Sequence, residues 1–237
     1  MPAKTSIILC TYNEADCIKE TVIKLENNIN NLELVIVDDN SSDGTADIIK
    51  KLNNNDKYNL VFRKKSRSLA SAFARGIIET TGNYIGWIDA NQGELAPKFN
   101  IMIKELEQGN DIVIMSRYIP GGGDERTLLR SVGSKYFNFF ARNILRLPIK
   151  DLTNSIFLMK KKVMDEVTFL GYGHGEFFLE FLYNAHKKGF KIKEIPHLQK
   201  KDENLKNSKS APNLIKFFYH GAMYILRVFA TIFRRRN

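Results

Sequence analysis

The sequence predicts an α/β fold in which helices cover both faces of a mostly parallel sheet, and two observations lead to that prediction. Across the first 115 residues, short apolar runs alternate with segments whose apolar residues recur at helical spacing. Two of the apolar runs end in clusters of acidic and amide side chains, which begin at Asp38 and at Asp89. Strands that alternate with helices in this way pair in parallel. The 237 residues are enough for one large domain with an appendage.

The strands and helices follow one another regularly up to the second acidic cluster. Ser and Asp side chains between residues 41 and 45 can cap free helix amides, so a helix is predicted directly after them. Small residues predominate in the third helix. The predicted order is strand 5–10, helix 18–25, strand 34–37, helix 46–52, strand 58–63, helix 69–78 and strand 84–88.

Asp89 is the residue on which the functional interpretation depends. It follows an apolar run and precedes Asn91 and Gln92. In open α/β sheets ligands bind beyond the carboxyl ends of the strands, so Asp89 is placed to hold a diphosphate or its metal. Asp38 also follows a predicted strand and is therefore expected at the same edge of the sheet. The alternative is that Asp89 is only a turn residue.

Charge and cysteine content restrict the classes of function. Lys and Arg outnumber Asp and Glu by 36 to 26, which gives a formal net charge of +10 and suits an anionic partner. The basic residues are spread along the chain rather than interleaved with exposed aromatics, so no nucleic-acid partner is expected. Cys10 and Cys17 form no CxxC pair. This favours a reduced, cytosolic setting over a disulfide or zinc framework, and no signal peptide is predicted.

Several short motifs occur in the order, and near the spacing, of a known family. They include Thr11-Tyr12-Asn13-Glu14, Asp38-Asp39-Asn40-Ser41-Ser42-Asp43-Gly44-Thr45, Leu69-Ala70-Ser71-Ala72, Asp89-Ala90-Asn91, Ser116-Arg117-Tyr118, Arg130-Ser131 and Asp151-Leu152-Thr153-Asn154-Ser155. Together they resemble the motifs of family 2 glycosyltransferases with a GT-A (Rossmann-like) fold. The branch they resemble most is that of the dolichol-phosphate (polyprenyl-phosphate) mannose or glucose synthases. The resemblance covers residues 5–210.

The resemblance implies a nucleotide-sugar site along the first, second and central strands. Base and ribose would lie against the loop of the first strand and the acidic cluster of the second. Carboxylates suit this role because ribose hydroxyls and base N–H groups donate hydrogen bonds and a carboxylate only accepts them. The implied nucleotide-sugar contacts are Thr11, Tyr12, Glu14, Asp38, Asp39, Ala70, Asp89, Ala90 and Arg117.

The resemblance also implies a divalent cation, Mg²⁺ or Mn²⁺, held by an Asp-x-Asp motif against the donor diphosphate. Both ions prefer hard oxygen ligands. The second Asp of the family is Asn91 here, and its amide oxygen brings one negative charge fewer. The predicted metal ligands are Asp89, Asn91 and Gln92, with Glu94 as a further candidate. The alternative is that Asn91 marks a loss of metal dependence.

The chemistry implied is inverting displacement at the anomeric carbon of the sugar by a lipid monophosphate. Arg117 and Arg130 match family positions that face the diphosphate or the acceptor phosphate, where the planar fork of arginine is suitable. Together with Asp89 they are the predicted catalytic residues. A phosphate monoester is already ionised near neutral pH, since its second pKa is about 6. A strong general base is therefore not required.

The acceptor side of the site is implied by a second set of positions. Ser208 and Lys209 match the end of the family's acceptor loop, whereas its arginine has only Lys200 or Lys201 as a counterpart. His174 has no clear counterpart and is predicted to be a loop residue. The complete predicted acceptor set is Arg130, Ser131, Glu180, Lys200, Lys201, Ser208 and Lys209.

Two segments suggest contact with lipid. Residues 214–233 predict an amphipathic helix with a broad apolar face and a narrow basic stripe, which suits an anionic bilayer surface. The stripe consists of Lys216, His220, Arg227, Thr231 and Arg234. Residues 128–147 repeat the pattern. The alternative for both segments is packing on the core or on a second subunit. Residues 1–210 are thus predicted to be the catalytic domain and 211–237 a membrane-associating tail.

The combined prediction is a hexosyltransferase at the cytoplasmic face of a membrane, as a peripheral or monotopic protein. It would transfer mannose or glucose from GDP-mannose or UDP-glucose to a polyprenyl (dolichyl) monophosphate. One alternative is a glycosyltransferase that acts on another glycan. A second is a catalytically weakened protein that only binds a nucleotide sugar.

Overall fold

The computed structural model describes residues 2–64, 68–173, 175–201 and 214–234, and of residues 214–218 only the backbone. The strands are β1 (Thr5–Thr11), β2 (Leu32–Asp38), β3 (Asn59–Phe62), β4 (Tyr84–Trp87), β5 (Ile112–Ser116), β6 (Gly123–Asp124), β7 (Phe157–Lys160), β8 (Ile192–Pro196) and β9 (Leu198–Gln199). The helices are α1 (Ile18–Asn28), α2 (Thr45–Leu52), α3 (Leu69–Ile78), α4 (Lys98–Glu107), α5 (Leu128–Leu145), α6 (Lys161–Glu166), α7 (Phe177–Lys187) and α8 (Leu214–Phe233).

Seven strands form one sheet in the order β3-β2-β1-β4-β7-β5-β8. All neighbours pair in parallel except β7, which is antiparallel to both β4 and β5. The predicted mostly parallel sheet is therefore confirmed. Because β4 and β5 both oppose β7, they run in the same direction. The carboxyl ends of the six parallel strands consequently lie at one edge, and ligands are expected there.

Alternating side chains of the sheet form two apolar layers. On β1, Ile8 packs with residues of α3 and α7. Ile7 and Leu9 pack with residues of α1 and α4 on the opposite face. This follows from the period of two in a strand. Each such side chain that is fully buried stabilises the folded state by about 1.5–3 kcal/mol relative to leaving it exposed to water. The two layers hold the strand ends in fixed positions relative to one another.

Stacked aromatic rings fix β4 just before Asp89. The Trp87 ring stacks on Phe73 of α3 at 4.9 Å and on Phe177 of α7 at 5.6 Å between centroids. Gly86 brings the neighbouring strands close, since a Cβ there would lie 2.9 Å from the Phe157 carbonyl oxygen and from Ile7. The strand that delivers Asp89 is thus rigidly held on both faces.

Helix α8 has the predicted bounds, but two residues of the predicted polar stripe, Arg227 and Thr231, point inward, whereas His220 is half-buried and Arg234 is exposed. Arg227, Val228 and Thr231 are buried, and α8 packs against α5 and α7. The reason is that α7 offers buried carboxylates to the arginines of α8. None of the helices in the described ranges is both long enough and apolar enough to cross a membrane. The predicted domain boundary after residue 210 lies outside the described residues.

Candidate active site

The loops that follow β1 and β2 are hydrogen-bonded to each other. The Asn13 backbone N–H donates to Ser41 Oγ at 2.9 Å, and the Ser42 N–H donates to Asn13 Oδ1 at 2.8 Å. Asn13 and Asn40 have φ values of 55° and 58°, a left-handed conformation that Asn tolerates better than most residues. The asparagines of these two motifs therefore shape the loops of the predicted nucleotide site.

Asp38 is used to hold these loops together. Its Oδ2 accepts from Thr11 Oγ1 at 2.8 Å and from Ser41 Oγ at 2.5 Å, and its Oδ1 accepts from the Ser41 N–H at 3.0 Å. The residue is 1% exposed. Thr11 and Asp38, both predicted nucleotide contacts, are thus brought together by a bond to each other. Their contact with a nucleotide remains a prediction.

Asp39 is paired with an arginine that the sequence analysis did not assign. Arg63 Nε and Nη2 donate to the two carboxylate oxygens of Asp39 at 2.5 and 2.7 Å. Arg63 directly follows β3, so it lies at the same edge of the sheet as Asp38 and Asp89. That position was the signal available in the sequence. The bidentate pair fixes the orientation of the Asp39 carboxylate.

Asp89 lies half-buried after β4 and close to other acidic groups. Burial, and then the negative charge of Glu14, raise the pKa of Asp89 to about 6. Burial and the charges of Asp39 and Asp89 also raise the pKa of the Cys10 thiol, so it stays protonated. The charge of Asp39 is offset by Arg63, so Asp89 and Glu14 are the acidic groups that create a negative potential at the strand ends. Such a potential favours a cation.

The loop after Asp89 is attached to α1. Thr21 Oγ1 donates to the Ala90 carbonyl oxygen at 2.5 Å, and Gly93 lies so close to α1 that a Cβ there would be 2.7 Å from Thr21 Cα. The Ala90 side chain is buried, whereas Asn91 is exposed. The loop geometry thus depends on α1 as well as on β4.

Gln92 provides an observation that fits a bound cation. Its Oε1 is buried and accepts no hydrogen bond from the described residues. A buried acceptor without a donor is costly unless something else satisfies it. Within the described ranges no three His, Cys, Asp or Glu side chains form a metal-binding group. A site here would need the amide oxygens of Gln92 or Asn91 beside Asp89.

Arg117, predicted to face a phosphate, is buried against Asp151. Its Nε and Nη2 each donate to an Asp151 carboxylate oxygen at 2.8 Å, its backbone N–H donates to Asp151 Oδ2 at 3.0 Å, and the residue is 5% exposed. Burial alone would raise the pKa of Asp151, but the charge and hydrogen bonds of Arg117 outweigh it and lower the pKa. Asp151 lies 34 residues from Arg117 in the sequence, so this pairing was not predicted. A contact of Arg117 with substrate remains a prediction.

Helix α5 carries Arg130 and Ser131 in its first turn and is anchored near Arg117. Asn138 Nδ2 donates to Thr153 Oγ1 at 2.9 Å, and Thr153 Oγ1 in turn accepts from Arg117 Nη2 at 2.6 Å. Arg130 is half-buried, which makes it more accessible than Arg117. Helix α5 is therefore connected through Thr153 to Arg117, which follows β5 at the carboxyl-end edge of the sheet.

Glu180, predicted on the acceptor side, is buried in a network with α8. Its Oε2 accepts from Arg227 Nη1 at 2.9 Å and its Oε1 accepts from Arg234 Nη1 at 2.6 Å. Glu176 Oε1 lies 3.8 Å from Arg227 Nη2. The sequence analysis assigned Arg227 to the lipid-facing stripe and gave Glu176 no role, because only the tertiary packing of α7 on α8 brings the two together. The structure thus gives Glu180 partners on α8.

The remaining predicted residues lie in loops, at the start of α3 or outside the described residues. Tyr12 is exposed at the end of β1, and Ala70 is buried in the first turn of α3. Lys200 and Lys201 are exposed directly after β9. Ser208, Lys209 and His174 lie outside the described residues.

Comparison with known proteins identifies the family of this site. A model described as glycosyl transferase family 2 matches residues 6–168. The chain belongs to this family. The family predicted from the sequence is therefore confirmed.

Two curated relatives of this family 2 glycosyltransferase are similar over most of the chain. A dolichol-phosphate mannosyltransferase of Pyrococcus furiosus is 32% identical over 203 residues, which are 81% of this chain and 55% of that protein. A polyprenol monophosphomannose synthase of Mycolicibacterium smegmatis is 24% identical over 204 residues, which are 81% of this chain and 76% of that protein. The chain thus spans about half the length of the Pyrococcus relative.

Solved structures confirm the GT-A type of fold. A glucosyl-3-phosphoglycerate synthase of Mycobacterium tuberculosis, solved with Mn²⁺, UDP and phosphoglyceric acid, aligns with 99% of this chain and 80% of its own at a TM-score of 0.75 and 12% identity. A mannosyltransferase of Pyrobaculum calidifontis, solved with GDP-Man and Mn²⁺, aligns with 100% of this chain and 66% of its own at a TM-score of 0.68 and 17% identity. At these identities the likeness concerns the fold alone.

Proposed function

We propose that this family 2 glycosyltransferase transfers a hexose, mannose or glucose, from a nucleoside-diphosphate sugar to a polyprenyl (dolichyl) monophosphate with inversion at the anomeric carbon. Two observations carry the proposal: acidic side chains lie at the carboxyl ends of the strands, where burial and Glu14 raise the pKa of Asp89, and α5 and α8 expose apolar side chains. The names of the two curated relatives agree with this acceptor class.

The donor nucleotide is assigned to the loops that follow β1 and β2. Asp39 is fixed by Arg63, and each of its oxygens keeps a lone pair for a ribose or base donor. Tyr12 is exposed beside this position and provides a ring surface. GDP-mannose and UDP-glucose are the two donors we propose to test.

A divalent cation, Mg²⁺ or Mn²⁺, fits the residues at the end of β4. Asp89, Asn91 and Gln92 would hold it, because Gln92 Oε1 lacks a donor and the Asp89 carboxylate is desolvated beside Glu14. When bound, the ion would neutralise charge on the departing nucleoside diphosphate. Two of the solved structural neighbours contain Mn²⁺, which agrees with this assignment.

The residues of the chain position two anions that otherwise repel each other. Arg130, on the accessible first turn of α5, is assigned to the acceptor phosphate. The pair of Arg117 and Asp151 fixes the loop around Thr153, to which α5 is hydrogen-bonded. Removing one member of such a buried pair lowers the stability of the fold by about 3–5 kcal/mol. The acceptor phosphate is already ionised, since its second pKa is about 6, so proximity and charge stabilisation suffice.

The lipid part of the acceptor is assigned to an apolar surface made by α5 and α8, which we call the two-helix surface. The helices meet through Phe137 and Tyr224, whose ring centroids are 5.3 Å apart. Because Arg227 and Thr231 are buried, the exposed side chains of α8 from residue 219 to residue 233 are apolar or aromatic. The exposed apolar side chains of the surface are Leu128, Leu129, Val132, Tyr136, Phe139, Phe140, Tyr219, Ile225, Leu226, Phe229, Ile232 and Phe233. We propose that this surface lies on the cytoplasmic face of a membrane.

A transfer assay tests the proposed function. Radiolabelled GDP-mannose or UDP-glucose is incubated with a short polyprenyl phosphate, with Mn²⁺ or with EDTA. We expect lipid-linked label from one donor in the presence of Mn²⁺ and none with EDTA. If neither donor gives transfer and the protein still binds a nucleotide, the result would favour the alternative of a nucleotide-sugar-binding protein. The exposed amide of Asn91, in place of a carboxylate, would then explain the lost activity.

A further inference from the structure

We propose that Arg227 of α8 is a positioning residue for the nucleotide site and acts through the segment 171–173, which we call the strap. The strap lies between α8 and the first turn of α3. This inference rests on the proposed function, because it assumes that a nucleotide binds beside Asp39. It assigns to α8 a role in donor binding in addition to its outer apolar face.

The first step of the connection runs from α8 to the strap. Arg227 Nη2 donates to the Tyr172 carbonyl oxygen at 3.0 Å, and its guanidinium lies 4.4 Å from the centre of the Tyr172 ring. The other nitrogen, Nη1, donates to Glu180. One planar group therefore holds α7, α8 and the strap at fixed separations.

The second step runs from the strap to α3. The Gly173 carbonyl oxygen accepts from Ser68 Oγ at 2.9 Å and from the Ala70 N–H at 3.4 Å. Gly173 has a φ of +102°, and a Cβ there would lie 2.9 Å from Arg227 Nη2. The strap is thus packed too tightly to move independently of Arg227 or of Ser68.

The third step runs from α3 to the nucleotide site. The Ser68 carbonyl oxygen accepts from Arg63 Nη2 at 3.3 Å, and Ser71 Oγ accepts from Arg63 Nη1 at 2.9 Å. Arg63 in turn binds both carboxylate oxygens of Asp39. A displacement of the strap is therefore transmitted through Ser68 to the carboxylate that is assigned to the nucleotide.

Two single variants and their combination test this connection in the full chain without lipid. Ser68→Ala removes the hydroxyl bond to Gly173. Arg227→Lys keeps the positive charge beside Glu180 but lacks the planar fork that reaches Glu180 and Tyr172 together. Calorimetric titrations with UDP and with GDP, each with Mn²⁺, give the Kd values. We expect each single variant to raise Kd about threefold to tenfold.

The double variant distinguishes positioning from general loss of stability. Ser68 and Arg227 act on the same connection, so their combined effect on Kd should be no greater than that of the larger single variant. Thr231→Val is the matched control on α8, because it removes a buried hydrogen bond to the Arg227 carbonyl and leaves the strap bonds in place. It should lower the melting temperature while leaving Kd unchanged.

Two results would overturn the role of Arg227 while the proposed function stands. These are normal nucleotide binding by the wild type with unchanged Kd in both single variants, or effects that multiply in the double variant. A wild type that binds neither UDP nor GDP would overturn the proposed function together with this inference.

Discussion

Asp89 carries the charge that the proposed chemistry depends on, although its surroundings oppose that charge. Burial and Glu14 together raise its pKa to about 6. Three residues further along the chain, the Gln92 amide oxygen is buried and accepts no hydrogen bond from the described residues. A divalent cation would satisfy both groups at once, and this is why we assign the ion to these side chains.

The variant Asp89→Asn should abolish turnover with little change in the fold. It keeps the size of the side chain but removes the charge, so we expect the rate of sugar transfer to fall about 100-fold or more. Transfer of labelled sugar measures the rate, and circular dichroism with a melting curve controls for folding. Transfer near the wild-type rate would remove Asp89 from the site.

The variant Asn91→Asp should tighten the binding of Mn²⁺, because it restores a negative charge beside Asp89. We expect the Kd for Mn²⁺, measured by calorimetry in the presence of the nucleotide, to fall about tenfold. Asn100→Asp adds the same charge to the exposed face of α4 and serves as the control. If both variants leave the Kd unchanged, Asn91 is not a ligand.

At the scale of elements, a carboxylate on β2 joins the beginnings of three strands. Glu33 Oε1 accepts from Lys4 Nζ and Thr81 Oγ1, both at 2.6 Å, and Oε2 accepts from the Thr81 N–H at 2.7 Å and from Ser6 Oγ. Burial alone would raise the pKa of Glu33, but these hydrogen bonds outweigh it and lower the pKa to about 2. The bonds hold β1, β2 and the start of β4 at the edge opposite the active site.

The variant Glu33→Gln should destabilise the protein at neutral pH and lose that effect in acid. A carboxyl whose folded pKa is lowered stabilises the fold above its unfolded pKa of about 4.5 and loses that contribution as the pH falls towards 2. We expect the melting temperature to drop by about 2–4 °C at pH 7, with a difference that shrinks between pH 5 and pH 2. Glu20→Gln, in an exposed pair with Lys24, is the control. A difference that does not depend on pH would contradict this assignment.

The sequence could predict the elements of the first half of the sheet because each has its own apolar pattern. Residues 69–78 are an example, since the predicted helix and α3 (Leu69–Ile78) coincide. The insertion of β7 between β4 and β5 could not be predicted, because it depends on pairing between distant segments. The same reason applies to the site: Arg117 meets Asp151, which is 34 residues away, and the arginines of α8 meet the carboxylates of α7. Periodicity shows that a helix is amphipathic but not which face packs inward.

At the scale of the whole molecule, the two-helix surface and the acidic edge of the sheet are joined through side chains. Helix α5 reaches Arg117 through Thr153, and α8 reaches Asp39 through the strap, Ser68 and Arg63. Two chains of hydrogen bonds therefore connect the surface assigned to lipid with the residues assigned to the nucleotide sugar. This arrangement suits an enzyme that joins a water-soluble donor to a lipid acceptor.

Outward-facing charges on the two-helix surface should weaken binding to membranes. Leu226 of α8 is 61% exposed and Tyr136 of α5 is 72% exposed, so replacing either by Glu should be compatible with the fold. We expect Leu226→Glu and Tyr136→Glu to reduce co-sedimentation with anionic vesicles severalfold, because a carboxylate opposes both burial and the surface charge. Ile78→Glu, at a 74% exposed position on α3, is the control. Equal losses in all three variants would argue against a defined membrane face.

The acceptor itself is tested most directly by comparing a short polyprenyl monophosphate with the matching polyprenyl alcohol. Each is incubated with the wild-type protein, Mn²⁺ and either labelled donor, and the label extracted into the organic phase is measured. We predict that label appears with the monophosphate alone and with only one of the two donors, because the ionised phosphate is the nucleophile. Equal labelling of the alcohol, or no label in the organic phase with either donor, would contradict the proposed function.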